Sequence, residues 1–237
     1  MRSKIYDRLE WAQSSGYLQA FIETCSFDEK DCVLDIGTGT GIVAKAISRL
    51  ISQVHGIDIS PDMLEVASRK ASGNIIWEKM DARELVFPSD HFDKVTARMV
   101  FHHILEDREK ALKECWRVLK PGGRLILSEG VPPDKKCRCR YDEIFRLKEE
   151  RVSFLPEEIE SLLTVCGFRN IRLRPFWMRR VSTREWLVHS GVKPELTEKI
   201  LKMHIDSDDH FKKAYNMEVT EDDVIVDWKF VIATAEK

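Results

Sequence analysis

Nine residues, Val33-Leu34-Asp35-Ile36-Gly37-Thr38-Gly39-Thr40-Gly41, restrict this chain more than any other stretch. Their apolar half reads as a buried strand, and the three alternate glycines read as a turn that needs positive φ or close backbone approach. The apolar spacing then changes to a helical period at Ile42, Val43, Ala46 and Ile47. A strand, a glycine turn and a helix in that order open an α/β domain and present backbone N–H groups to a nucleotide-like ligand. The glycines alone do not name the ligand, because an ordinary strand-to-helix turn uses the same residues.

Alternating strand and helix patterns run on from about residue 32 to about residue 130, as in a parallel sheet covered on both faces. Strands are expected at Cys32 to Ile36, Val54 to Ile59, Ile75 to Met80, Phe92 to Met99 and Arg124 to Ser128. Ser60-Pro61 supplies an N-cap and a first-turn proline for the helix after the second strand. A helix opened by Asp107 should stop at Lys120-Pro121-Gly122-Gly123, where proline and glycine forbid continuation. Later come a helix from Pro156 to Cys166, a strand through Ile171, Leu173 and Phe176, and a last strand from Val224 to Thr234. Two excursions, about residues 131 to 155 and 183 to 223, read as mostly helical caps, and residues 1 to 31 as helices forming an N-terminal lid. The 237 residues suit one enlarged domain over 32 to 237, or a core of about 180 residues with a cap.

Hydrophobic residues make up 43% of the chain, charged ones 33%, and the net charge is −2, so nothing draws the whole molecule toward nucleic acid or an anionic membrane. Charge is less even locally. Arg169, Arg172, Arg174, Arg179, Arg180 and Arg184 crowd one stretch, and Asp206 to Asp227 is rich in acids. The plain reading is two solvated faces that attract each other; the sharper one is that some arginines meet an anionic substrate. No apolar run reaches signal-peptide length at the N-terminus or the ~18 residues of a membrane span, so a cytoplasmic protein is expected. Six scattered cysteines imply no disulfide framework, and Cys137-Arg138-Cys139 reads as exposed and structurally neutral. His55, His91, His189, His204 and His210 have no metal-ligand partners at useful spacing, and no metal is expected.

Four acidic or basic features refine the ligand. Asp58, at the end of the second strand, can accept both ribose hydroxyls of an adenosine. Asp35 puts a carboxylate beside the glycine loop, which suits a ligand with a positive group and repels a pyrophosphate. Asp81, in Met80-Asp81-Ala82, stands where an exocyclic adenine amine can donate. The fourth strand leads into Met99-Val100-Phe101-His102-His103, a rim bearing two histidines.

With these segments the chain resembles the class I S-adenosylmethionine-dependent methyltransferases, in the branch similar to ubiquinone/menaquinone C-methyltransferases and related small-molecule enzymes. Val33 to Gly41, Gly56 to Met63, Met80 to Ala82, Phe92 to His103 and Arg117 to Glu129 carry the resemblance. It implies a Rossmann-like, seven-stranded, mostly parallel sheet with helices on both faces and an antiparallel last strand. It also implies that Gly37, Thr38 and Gly39 pass beneath S-adenosylmethionine, with Asp35 near its amino-acid portion. By the same resemblance Asp58 and Ile59 hold the ribose, Asp81 and Ala82 flank the adenine, and Ala97 and Arg98 lie near the methionyl end. Met63, in the matched segment after Asp58, joins this cofactor-binding set.

A sulfonium methyl is already activated, so such an enzyme mainly aligns the acceptor and excludes water. Where the acceptor must lose a proton, His102 and His103 are the best-placed bases, with Glu129, Tyr6 and Tyr17 behind them. The expected activity is methyl transfer to a small-molecule oxygen, carbon or nitrogen, with oligomeric state left open. Two alternatives stand beside it: a non-catalytic cofactor-binding relative, and a nicotinamide-dependent oxidoreductase, which the glycine spacing and Asp35 disfavour. Nucleic acid is a poor fit, because no Asn/Asp-Pro-Pro-Tyr/Phe segment follows the fourth strand.

Overall fold

Near-continuous burial along the first strands requires cover on both faces of the sheet. The computed structural model describes residues 15–69 and 73–237. Its strands are β1 (Cys32–Ile36), β2 (Gln53–Asp58), β3 (Ile75–Lys79), β4 (Phe92–Arg98), β5 (Leu119–Val131), β6 (Arg169–Ser182), β7 (Glu218–Val219) and β8 (Val224–Glu236). They lie in the order β3-β2-β1-β4-β5-β8-β6, with β7 paired to β8. The first five are mutually parallel, and β8 runs antiparallel between β5 and β6. The order reverses between β1 and β4, which opens a crevice at the carboxyl ends of the strands.

Alternate residues of each strand serve opposite faces. Val33, Val54 and Ile126 pack under α1 (Ser15–Cys25) and α2 (Ile42–Ile47), while Leu34, Ile36, Val95 and Leu125 pack with Leu112 and Cys115 of α4 (Arg108–Val118) and Ile159 of α6 (Pro156–Val165). Between them α3 (Pro61–Ser68) starts as its sequence dictates, with Pro61 in its first turn and the Ser60 hydroxyl accepting from the Met63 N–H at 3.4 Å.

Sequence and structure differ at several places. Strand five begins at Leu119 rather than Arg124, because Leu119 pairs with Phe92, the Pro-Gly-Gly segment bulges, and pairing resumes at Lys94 and Arg124. β6 extends to Ser182, since β8 offers it a partner along almost its whole length. Cys139 is exposed as expected, but Cys137 is buried, because the start of α5 (Arg138–Lys148) docks on a second hydrophobic core. Burial first, and Asp134 second, push the Cys137 thiol up to about 12.

That second core belongs to the cap. It joins Tyr141 and Ile144 of α5 to Trp186 of α7 (Thr183–His189), Ile200 of α8 (Pro194–Ile205) and Phe211 of α9 (Asp209–Ala214), all resting on Val224 and Val226 of β8. Of the expected N-terminal lid, residues 1–14, with Tyr6, lie outside the described residues. Its described part packs into the sheet: Tyr17 and Phe21 are fully buried, and the Tyr17 ring stacks on Phe230 at 4.4 Å. The arginine-rich stretch meets its own acids, through Arg179 to Asp227 at 2.6 Å and Arg180 to Glu218 at 2.7 Å. Arg184 pairs with Glu198 at 2.5 Å. No described helix is long and apolar enough to cross a membrane.

Candidate active site

The reversal of strand order places the ends of β1, β2, β3 and β4 along one edge. Gly37 and Gly39 turn the chain there with φ of 59° and 56°, and the Thr38 N–H donates to Ile57 O at 2.9 Å. A Cβ added to Gly37 meets Val100 at 2.6 Å, whereas one added to Gly39 meets nothing nearer than Gly37 O at 4.0 Å. The loop is therefore pressed against β4's exit on one side and faces open space at Gly39. Asp58 receives the Gly39 N–H at 2.8 Å and the Ser60 N–H at 2.9 Å, so it joins the glycine turn to the start of α3.

Asp35 lies beneath this loop, 1% exposed, and accepts from Thr38 Oγ1 at 2.6 Å and Thr96 Oγ1 at 2.8 Å. Desolvation raises its pKa to about 6 against the lowering effect of those two hydroxyls and Arg98. A buried carboxylate of this kind favours a cationic neighbour. Ile59, 62% exposed, offers apolar surface next to Asp58. Asp81 is held by Arg83 at 2.7 Å, which lowers its pKa, and Ala82 packs against the core beside it. Ala97 is wholly buried between Ile36 and Leu127, so it can offer a ligand only its backbone. Arg98 stacks its guanidinium over Tyr17, 5.3 Å from the ring centroid. A group carrying adenosine, an amine and a sulfonium fits these residues: an anionic floor, a strand-end carboxylate and open space over Gly39. When bound, such a group supplies a methyl already activated for transfer.

Beyond this edge a cavity of about 700 Å³ separates the sheet from the cap. Met63 and Met99 line it at the ends nearest β2 and β4, and His102 and His103 form part of its wall. Met99 has a φ of 61°, a strained value for a side chain with a Cβ, at the point where β4 turns into the histidine segment. His102 is 3% exposed, and its Nδ1 lies 2.7 Å from Oε2 of Glu129, which is 1% exposed. The other Glu129 oxygen accepts the N–H groups of Phe101 at 2.7 Å and Val100 at 3.1 Å. Burial holds the His102 imidazole neutral, well below its ordinary range, with Arg151 the next cause. Burial also raises Glu129 to about 7, against Arg151 and His103. His103 opens onto the cavity, its ring 3.9 Å from that of His102. Confinement, then His102, draws it down to about 4.

Tyr17, the weaker candidate base, is spent on a 2.7 Å hydrogen bond to Ser128 Oγ inside the core. The cap contributes residues that sequence reasoning missed: Tyr141, Phe145, Lys148, Arg151, Trp186 and Lys193 all line the cavity. Their meeting depends on contacts between α5, α7 and α8 that no local spacing announces. None of the arginines from 169 to 184 lines it. Three histidines expected to stand alone also find company: His55 and His91 approach Cys32, and His210 approaches Asp134 and Cys137. His55 Nδ1 is 3.1 Å from Glu78, and His210 Nε2 is 2.8 Å from Asp134.

Comparison with known proteins bears on this arrangement. The methyltransferase domain family matches residues 34–127, from β1 to the middle of β5. A phosphoethanolamine N-methyltransferase of Plasmodium falciparum is 29% identical over 84% of this chain and 79% of its own. The ubiquinone/menaquinone biosynthesis C-methyltransferase UbiE of Pseudomonas putida is 32% identical over 68% of this chain and 72% of its own. Among solved structures, the YcgJ protein of Bacillus subtilis shares the fold with a TM-score of 0.85 at 24% identity, covering 94% of this chain and 98% of that one.

Proposed function

Because this chain belongs to the class I S-adenosylmethionine-dependent methyltransferases, we propose that it methylates a small, anionic organic molecule held in the cavity beneath the cap. One observation carries this reading: the cavity runs from the cap to Met63 and Met99, with His102 and His103 in its wall. In this reading Gly37, Thr38, Gly39, Asp35, Asp58, Ile59, Asp81 and Ala82 form the donor side, with the backbone of Ala97, Arg98 and Met63 around the methionyl end. His102 takes the proton that an oxygen, nitrogen or carbon acceptor gives up. The Glu129 carboxylate accepts from Nδ1–H and so leaves the Nε2 lone pair as the base. His103, on the same wall, hydrogen-bonds the acceptor. The aromatic lining excludes water while the acceptor is aligned. The phosphoethanolamine and quinone-precursor enzymes among the relatives make a phosphate- or ring-bearing acceptor a suitable first choice for assay. Six unpaired cysteines support a reducing, cytoplasmic compartment.

Calorimetric titration with S-adenosylmethionine tests the donor side. Asp58→Ala should weaken binding at least tenfold; an unchanged affinity in a folded variant removes Asp58 from the ribose role. Transfer from methyl-labelled cofactor into a pool of organic acids tests the acceptor side.

A further inference from the structure

Among the described residues that line the cavity, Arg151 is the one with buried side-chain nitrogens that lack a hydrogen-bond partner. Its side chain is 3% exposed, yet Nε and Nη2 have no hydrogen-bond partner. Nη1 lies 3.7 Å from Glu149 Oε1, too long for a hydrogen bond. The plane of the guanidinium is held from the side, with Cζ 4.4 Å from the Phe145 ring centroid and 5.9 Å from that of Tyr141. Its backbone is held too, since the next residue, Val152, donates its N–H to His102 O at 2.9 Å. The group is therefore fixed beside the histidine pair.

Nε and Nη2 form one edge of the guanidinium fork, the edge that grips both oxygens of an oxyanion. The same edge does this twice elsewhere in the molecule. Arg117 donates Nε and Nη2 to the two oxygens of Glu114, both at 2.8 Å, and Arg83 donates Nε and Nη2 to Asp81 at 3.1 and 2.7 Å. At Arg151 the edge is built and buried, and no acid among the described residues hydrogen-bonds to it. Leaving charged N–H groups unmatched in a buried site is costly, so such an edge marks a ligand position. Charge nearby favours an anion as well: Lys148, Lys193 and Lys229 line the same cavity, against Glu149 and the Glu129–His102 pair. Lys229 is committed to Pro133 O at 2.6 Å and Lys148 to Glu149 at 3.2 Å, so Arg151 has the docking edge and the lysines supply field.

We infer that the Nε/Nη2 edge of Arg151 docks an oxyanion, a carboxylate or phosphate monoester, carried by the methyl acceptor, whose apolar body lies against Phe145, Trp186 and Trp228. This rests on the methyl-transfer reading of the cavity and names the substrate class for it. The anion fixes the acceptor at one end and leaves its nucleophile for the histidines at the other.

The test is calorimetry on the full chain with benzoate, phenyl phosphate and the neutral isostere benzamide, each with and without S-adenosylhomocysteine. At least one acid should bind ten times more tightly than benzamide, and whichever acid wins tells carboxylate from phosphate. Arg151→Gln should abolish the preference, and Arg151→Lys, which keeps the charge but loses the edge, should retain only part of it. S-adenosylhomocysteine affinity should stay the same in both variants. Equal binding of benzamide and the acids, no acid binding at millimolar concentration, or an undiminished preference in Arg151→Gln overturns the proposal. Should Arg151→Gln fail to fold, full wild-type affinity for the acids in Arg151→Lys overturns it equally. Failure of S-adenosylhomocysteine to bind, with the acid preference intact, refutes the methyl-transfer reading and leaves the anion site standing.

Discussion

Glu129 and His102 share protons, and their count sets when a base exists. Oε1 of Glu129 is committed as an acceptor by the Phe101 and Val100 N–H groups, so any proton on this carboxyl sits on Oε2, facing His102 Nδ1. Below about pH 7 the acid is protonated, Nδ1 accepts from it, and the neutral imidazole carries its hydrogen on Nε2. Above that pH the carboxylate accepts from Nδ1–H and Nε2 holds a lone pair. Because burial keeps both histidines from charging until far lower pH, the rate should rise through about pH 7 as Glu129 ionises. Glu129→Gln replaces the acceptor at Oε2 with an N–H donor and locks the unreactive tautomer at every pH. A general base is worth about 10²- to 10⁴-fold, so kcat should fall by that order and lose its rise near pH 7, with cofactor affinity unchanged. A pH–rate profile alongside a binding titration checks both. Both histidines and Glu129 are legible as candidates, because each follows an expected strand, although Glu129 lies within β5, which runs on to Val131. Local spacing does not join them, since 27 residues separate His102 from Glu129 and only the β4–β5 pairing brings them together.

At the scale of elements, the glycine turn is legible because its requirement is local. Gly37 needs a left-handed φ, which costs another residue about 1–2 kcal/mol, and it needs the space that Val100 fills. Gly37→Ala should lower the melting temperature and weaken cofactor binding; adding Val100→Ala should restore part of the stability, the contact share, while the backbone share stays lost. Thermal melts of the single and double variants separate the two. Elements fixed by long-range pairing were harder to read. β6 is legible from Ile171, Leu173 and Phe176 but continues to Ser182, because Asp227 on the neighbouring strand accepts the Arg180 N–H at 2.9 Å and the Arg179 guanidinium. Cys137 reads as exposed in the sequence, and the shared cap core of α5, α7, α8 and α9 buries it.

For the molecule as a whole, the sheet and the cap have separate hydrophobic cores that meet on β8, whose first residues carry the cap and whose later ones sit between β5 and β6. The cap's short helices bury less of themselves than the central strands, so they should open at lower free energy. Amide exchange in α7, α8 and α9 should outrun that in β1 and β4, and an oxyanion probe in the cavity should slow it there first; uniform exchange across both cores would contradict this division. The closing pair Ser182–Ile225 has a further consequence for descent. The chain leaves the sheet at Ser182 and returns to it at the two-residue β7, whose Glu218 also faces Ile225, so residues 183–217 hang from a clamped stem. Insertions, deletions or wholesale exchange there leave the strand register untouched. A lineage carrying this fold can therefore trade one acceptor for another by rewriting the hanging segment, while the glycine turn and its acids are inherited unaltered.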